Sequence, residues 1–219
     1  MSKVLVIGDI HEPFCLDGYL EFCREKKRKL RPDKVVFIGD IIDNHYASYH
    51  ETDADGMGGA EELSLSIKKI AKWYKAFPKA DVIIGNHDRM VMRKAQTSNV
   101  PSAWIKSYQE VLKVPGWKFS DRIVIDRVQY IHGEGGQAKT RAIRDMQSTV
   151  QGHIHTEAYA QHFAGENQRI MAVQVGCGID RHAYAMAYAK NFKHPFISCA
   201  LIDGGELATV YPMKLRNKV

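Results

Sequence analysis

Lys3-Val4-Leu5-Val6-Ile7-Gly8-Asp9-Ile10-His11 opens the chain with a run of apolar residues that ends in a glycine, a carboxylate and an imidazole. The apolar run Val4 to Ile7 reads as a buried strand, and the polar residues fall where that strand ends. The same grammar recurs. Val35 to Ile38 leads into Gly39-Asp40-Ile41-Ile42-Asp43-Asn44, Val82 to Ile84 into Gly85-Asn86-His87-Asp88, and Val128 to Ile131 into His132-Gly133. A shorter apolar stretch near Thr149 and Val150 precedes Gly152-His153-Ile154-His155. In open α/β sheets the ends of the strands are where ligands bind.

Between these motifs the first half alternates strand, loop and helix. Asp17 is placed to cap a helix running through Arg28, with Leu20 and Cys23 turned inward. Leu63, Ile67, Ile70, Ala71, Tyr74 and Phe77 recur at helical spacing, which predicts an amphipathic helix over residues 61–77, stopped at Pro78. That periodicity assigns Tyr74 to the core. Further helical patterns lie near 88–96 and 102–113. This βαβα order implies a parallel sheet.

The second half changes character. Ile123 to Ile125, Asp126-Arg127 and Val128 to Ile131 read as a hairpin. A basic helix follows near Thr140 to Met146. Short β-like runs then occupy Ala158 to Phe163, Ile170 to Val175, Phe196 to Ile202 and Leu207 to Tyr211. With no linker, repeat or low-complexity tract, the 219 residues suit a single domain, 1–219. Two packed sheets with helices outside are the natural assembly. The longest irregular segment is His45 to Gly59. Its His45, Tyr46, Tyr49 and His50 suit loop packing, with base stacking as the alternative.

Composition narrows the setting. No apolar run approaches the roughly 20 residues that cross a bilayer, and no leader pattern precedes the strand at Lys3. The four cysteines form no Cys-x-x-Cys pair, so free thiols in a reducing cytoplasm are expected. The net charge is +6, a mild bias toward polyanionic partners. The densest basic run, Arg24 to Lys34, closes the first helix. It should therefore lie far from the motif-bearing strand ends, as a solvated face.

The polar residues themselves are oxygen and imidazole donors with no thiolate, a set suited to a hydrolytic metal site. Asp9 and His11 are two apart, so in extended chain both project the same way; His153 and His155 share that spacing. The Asp40 carboxylate has two oxygens and can bridge two ions, while Asn86 and His132 add a neutral oxygen and another imidazole. Two divalent ions would be only half neutralised by Asp9 and Asp40. The remaining charge would attract phosphate and acidify a bridging water toward hydroxide. Mn²⁺ suits the donors best, with Fe, Zn, Ni and Mg as alternatives.

The five blocks, in this order from Asp9 to His155, resemble the calcineurin-like metallophosphoesterase family, and small bacterial and phage phosphoesterases in particular. The resemblance implies a four-layer α/β/β/α sandwich of two mixed sheets flanked by helices. It implies one ion on Asp9, His11, Asp40 and His155, and a second on Asp40, Asn86, His132 and His153. His87 would be the catalytic histidine beside the phosphate, and Asp43 would orient it. The implied reaction is phosphoester hydrolysis with a metal-bridging hydroxide as nucleophile.

Departures from the family's branches bear on the substrate. The protein phosphatase branch carries Arg-Gly where this chain has Asn44-His45, and Glu where it has Asp88. Gly-Asn-His-Asp is similar to the phosphodiesterase and nuclease branches, and the chain ends before the extra DNA-binding domains of the repair nucleases. The expectation is a phosphodiesterase acting on nucleotides or nucleic acid; the alternative is a phosphomonoesterase or protein phosphatase at the same site. Arg89, Lys139, Arg141 and Arg144 are the candidates to grip phosphate, helped by the backbone of Gly133-Glu134-Gly135-Gly136; as exposed helix charges they would have no such role.

Overall fold

Val4, Leu5, Val6 and Ile7 are all buried, so the first strand, β1 (Lys3–Ile7), has protein on both faces. Alternate side chains supply different cores. Leu5 and Ile7 join Cys23, Val35, Phe37, Ile70, Trp73, Phe77 and Trp117. Val4 and Val6 join Val36, Ile38, Val128, Tyr130, Val150 and Val173.

The computed structural model describes residues 1–48, 56–183 and 194–215. In one sheet β1, β2 (Lys34–Phe37), β3 (Ala80–Ile83) and β4 (Trp117–Ser120) run parallel. The other sheet contains β5 (Arg122–Ile125), β6 (Val128–Ile131), β7 (Thr149–Gln151), β8 (Tyr159–Ala164) and β9 (Arg169–Gln174), in the order β5-β6-β7-β9-β8. The strands β10 (Ser198–Asp203) and β11 (Leu207–Pro212) complete the first sheet antiparallel beside β1, giving β11-β10-β1-β2-β3-β4. Both sheets are mixed. The first core lies between the six-stranded sheet and helices α1 (Tyr19–Leu30) and α2 (Gly59–Ala76), and the second lies between the sheets. A small third core of Ala138, Ala142 and Ala172 lies under a later helix, Ala138–Asp145, on the outer face of the second sheet. These are the four layers α/β/β/α expected from the sequence.

The hairpin forms as expected, with Asp126 and Arg127 at φ 48° and 65°, the two positive values that a tight two-residue hairpin turn demands. Two local expectations are corrected. Asp17 does not cap α1: the N-cap position is Gly18, at φ 89°, and Asp17 stands one residue too early. The fully buried stripe of α2 is Glu62, Ser66, Ile70 and Trp73, continued by Phe77; Leu63, Ile67 and Tyr74 pack against the core half-buried, and Ala71 is exposed. The stripe is turned because Glu62 and Ser66 find backbone partners, which makes their burial tolerable, and because the indole of Trp73 packs on Phe37 and Phe77. Residues 117–120, which carry no clear strand pattern, form β4 at the edge of the sheet. Tyr49 and His50 lie outside the described residues; the described start of their segment is a short 3-10 turn, His45–Ala47.

The basic run sits where the topology requires. Lys34 pairs with Val4, at the start of β1 and away from Asp9. Lys27 donates to the Ala76 carbonyl at 2.7 Å and lies over the Phe77 ring, so it is partly structural.

Candidate metal centre

Register brings the motifs together. Ile7 pairs with Phe37, and Ile131 with Gln151, so Asp9, Asp40, His132 and His153 all leave their sheets at the same edge. Helix α3 (Asn86–Thr97) begins there too, with Asn86 and His87 in its first turn. His11, Asp40 and His153 adopt left-handed backbone at φ 46°, 45° and 67°, a costly conformation that clusters at functional sites.

Three groups of donors result among the described residues. Asp9, His11, Asp40 and His155 form the first, Asp40, His132 and His153 the second, and His11, Asp43 and His87 a third beside them. In the first, His11 Nε2 lies 3.1 Å from His155 Nε2 and 3.5 Å from Asp40 Oδ2, and His155 Nε2 lies 3.3 Å from Asp9 Oδ2. In the second, His132 Nε2 is 3.1 Å from Asp40 Oδ2, and both His132 Nε2 and His153 Nδ1 approach the Asn86 amide oxygen at 2.9 Å. Asp40 belongs to both of these.

The chemistry of this donor set fits divalent cations. Imidazole nitrogens converge on one another and on a shared oxygen, an arrangement that calls for a central cation. Asp9 Oδ1 is buried with no hydrogen-bond partner among the described residues. The motif glycines clear room for the carboxylates: a Cβ on Gly152 would stand 2.3 Å from Asp9 Oδ1, and one on Gly85 2.0 Å from Asp40 Oδ1. The imidazoles are also anchored from behind, as metal-ligating histidines are. His132 Nδ1 donates to the Ile38 carbonyl at 3.1 Å, and His11 Nδ1 donates to Asp43 Oδ1 at 2.7 Å.

That last contact revises the role expected for Asp43. Its carboxylate serves His11 first and stands 3.5 Å from His87 Nδ1. What orients His87 is the Asp43 backbone carbonyl, which accepts from Nδ1 at 2.7 Å. The His87 ring packs edge-on to His11 with centroids 4.7 Å apart.

The imidazole pKa values diverge across the site. Burial disfavours a charged His132, but Asp40 and Asp9 outweigh it and raise its pKa to about 10. Burial likewise opposes a charged His87, yet the charges of Asp40 and Asp43 hold its pKa above the usual value. His11 and His153 go the other way, lowered chiefly by burial.

Sequence reasoning missed two residues that hold the site. Asp88 is buried; its Oδ1 accepts from Ile41 N and Ile42 N at 3.0 and 3.2 Å and its Oδ2 from Gly85 N at 2.8 Å, tying the third motif to the second. Glu62, fully buried on α2, accepts from His45 N at 2.9 Å. The only sign of Glu62 was a carboxylate one turn from an apolar stripe.

The three arginines among the substrate-binding candidates make ion pairs of their own. Arg89 pairs with Asp121 at 2.8 Å and with Glu134. On the helix Ala138–Asp145, Arg141 pairs with Asp145 at 2.5 Å and Arg144 with the same residue at 3.3 Å. No hydrogen bond or ion pair among the described residues joins these arginines or Lys139 to the donor clusters.

A family model described as calcineurin-like phosphoesterase matches residues 2–170. No curated protein matches the chain. Solved structures similar to it include a metallophosphoesterase from Sphaerobacter thermophilus, 16% identical with a TM-score of 0.50, covering 98% of this chain and 89% of that one. Vacuolar protein sorting 29 from Cryptosporidium parvum is 16% identical with a TM-score of 0.47, over 98% and 92% of the two chains. YfcE, a phosphoesterase from E. coli, is 15% identical with a TM-score of 0.43, over 92% and 88%. The likeness to the Sphaerobacter thermophilus protein concerns the fold alone.

Proposed function

The chain belongs to the calcineurin-like phosphoesterase family, and from that premise we propose a two-ion phosphodiesterase acting on nucleotides or nucleic acid. Asp9, His11, Asp40 and His155 would hold one ion, and Asp40, Asn86, His132 and His153 the other, with Mn²⁺ the preferred metal. When bound, such a pair supplies Lewis-acid polarisation of the phosphoryl group and a water that ionises near neutral pH.

The chain's own residues supply the rest. His87 is fixed at Nδ1 by the Asp43 carbonyl, which leaves Nε2 to carry the proton for the leaving oxygen. Burial opposes the charged ring, and the charges of Asp40 and Asp43 raise its pKa against that, the direction that favours a general acid. Asp43 faces His87 without belonging to either proposed ligand set, so its charge acts on the ring whether or not ions are bound. Asp88 holds the Gly85-to-Asp88 turn against the Asp40 loop, so acid and ligands share one frame.

The observation that carries this reading is the pair of donor clusters joined through Asp40. The diester preference rests on Gly-Asn-His-Asp and on a neutral Asn44 where a phosphatase arginine would stand. Cys15, Cys23, Cys177 and Cys199 are free thiols, which suits the reducing cytoplasm. No helix among the described residues is long and apolar enough to cross a membrane.

The test is a chelator-stripped preparation reconstituted with Mn²⁺ and given bis(p-nitrophenyl) phosphate and p-nitrophenyl phosphate. Hydrolysis should vanish on stripping, return with metal, and be at least as fast on the diester. Turnover of the monoester alone would favour a phosphomonoesterase at the same site. Full activity without metal would overturn the reading.

A further inference from the structure

We propose that Asn44 and Tyr46, clamped by the buried Glu62, form a relay that positions His87, so that position 44 serves the catalytic imidazole and not the substrate. The inference rests on the reading of His87 as the acid of a phosphoesterase.

One loop holds every polar group of His87 that the structure shows bonded. The His87 N–H donates to Asp40 Oδ1 at 2.9 Å, its Nδ1 donates to the Asp43 carbonyl at 2.7 Å, and its own carbonyl accepts from Asn44 Nδ2 at 2.9 Å. Asn44 is only 4% exposed and has left-handed backbone at φ 51°, a conformation that asparagine tolerates better than most residues. Its side chain is turned inward. The Tyr46 hydroxyl donates to Asn44 Oδ1 at 3.4 Å, so both ends of the amide are engaged.

The turn carrying these groups is fastened from α2. Glu62 is fully buried, and its two oxygens accept from His45 N at 2.9 Å and Tyr46 N at 3.4 Å. A buried carboxyl group aimed at two successive main-chain donors fixes a turn firmly. The chain of contacts runs Glu62, His45–Tyr46 backbone, Asn44, His87. Where a phosphatase arginine would lend charge to the phosphate, this chain uses a neutral amide to set the acid.

Such a relay predicts a loss in kcat rather than KM. Asn44→Asp keeps the shape but turns an acceptor toward the His87 carbonyl. In the Mn²⁺-loaded protein it should lower kcat on bis(p-nitrophenyl) phosphate by about 10–100-fold, since small misplacements cost that much, with KM and metal content as in the parent. Tyr46→Phe removes one long hydrogen bond and should cost about 2–5-fold. Asn44→Ala, which adds no charge, keeps the test open if Asn44→Asp misfolds.

Combined with His87→Ala, the Asn44 substitution should slow the enzyme no further, because residues acting through one group are not additive. An independent readout needs no catalysis: in metal-free protein the NMR signals of the His87 ring and the Asp88 amide should shift in Asn44→Asp or Asn44→Ala. The relay is overturned by a raised KM with kcat intact, by a further loss in the His87→Ala background, or by unchanged His87 and Asp88 signals. If the loaded parent hydrolyses no phosphoester, the functional reading fails instead, and the NMR signals still decide the relay.

Discussion

Loading the site should expel a proton from His132, and affinity for divalent ions should therefore climb with pH. In the metal-free chain Nε2 of this buried ring lies 3.1 Å from Asp40 Oδ2, and Nδ1 lies 3.9 Å from Asp9 Oδ1. Burial opposes the charge, the two carboxylates outweigh it, and the pKa stands at about 10. Nδ1 is committed to the Ile38 carbonyl, so the metal must take Nε2 and displace its proton. At pH 7 that costs about 4 kcal/mol, at about 1.36 kcal/mol for each of roughly three pH units. The affinity of the ion on His132 should then rise about tenfold per pH unit between about 6.5 and 8.5. His11 and His153, lowered by burial, add no such cost. The assay is Mn²⁺ titration followed by the EPR signal of the free ion at fixed ionic strength, with imidazole NMR on metal-free protein. The same pair makes a stability prediction. Because the folded pKa exceeds the ordinary 6.5, the stabilisation is complete below pH 6.5 and is lost as pH rises through about 10. Metal-free protein should melt earlier across that interval. Flat affinity over the range, or a neutral His132 at pH 7 in metal-free protein, would refute the reasoning.

Other consequences concern single residues. Asp40→Asn should hurt metal occupancy more than any other substitution, because both donor clusters lose their shared carboxylate; metal content after gel filtration measures it. His87→Ala should keep its metals and lose about 10²–10⁴-fold in rate, with a smaller loss on nitrophenolate than on poor leaving groups; loss of metal instead would make His87 a ligand. Glu62 has its pKa raised to about 7, first by burial and then by the charge of Asp43, against the pull of the His45 and Tyr46 N–H groups. Its contribution is therefore complete below pH 4.5 and lost as pH rises through about 7, a swing of roughly 3 kcal/mol. Urea unfolding at pH 5 and pH 8 should show a fall in stability that is smaller in Glu62→Gln than in the parent by about that swing, the remainder coming from groups such as His132; an identical pH response in both proteins would count against it. Lys29→Gln should leave turnover unchanged, since Lys29 is an exposed partner of Glu25 at the far end of α1.

The sheets were legible because their strands are short apolar runs that end in punctuating glycines, and the donors because each follows such a run. Chain order alone then placed Asp9, Asp40 and His132 on one edge. What held the donors was not legible. Asp88 reads as a branch marker in sequence, yet its carboxylate binds three backbone N–H groups, two of them 46 and 47 residues away. Periodicity counts apolar residues, so it missed that Glu62 and Ser66 lie on the buried side of α2 with backbone partners of their own. It put Tyr74 on the core side, where the ring does pack against the core beside Trp117, and left out Trp73, which is buried. Arg89 follows Gly-Asn-His-Asp directly, but its ion-pair partners Asp121 and Glu134 are distant in sequence, a pairing that no spacing encodes. Asp43 was assigned to His87 when its carboxylate sits nearest His11, a distinction of 2.7 against 3.5 Å that no spacing encodes.

Two ions sharing Asp40 is what the whole arrangement of donors predicts. The direct measurement is an anomalous difference map from crystals of the protein grown with Mn²⁺. Two peaks should appear about 3.5–4 Å apart, as in two-metal sites generally, both within bonding distance of Asp40, one beside His11 and His155 and the other beside His132 and His153. A single peak, or ions bound away from Asp40, would contradict the account.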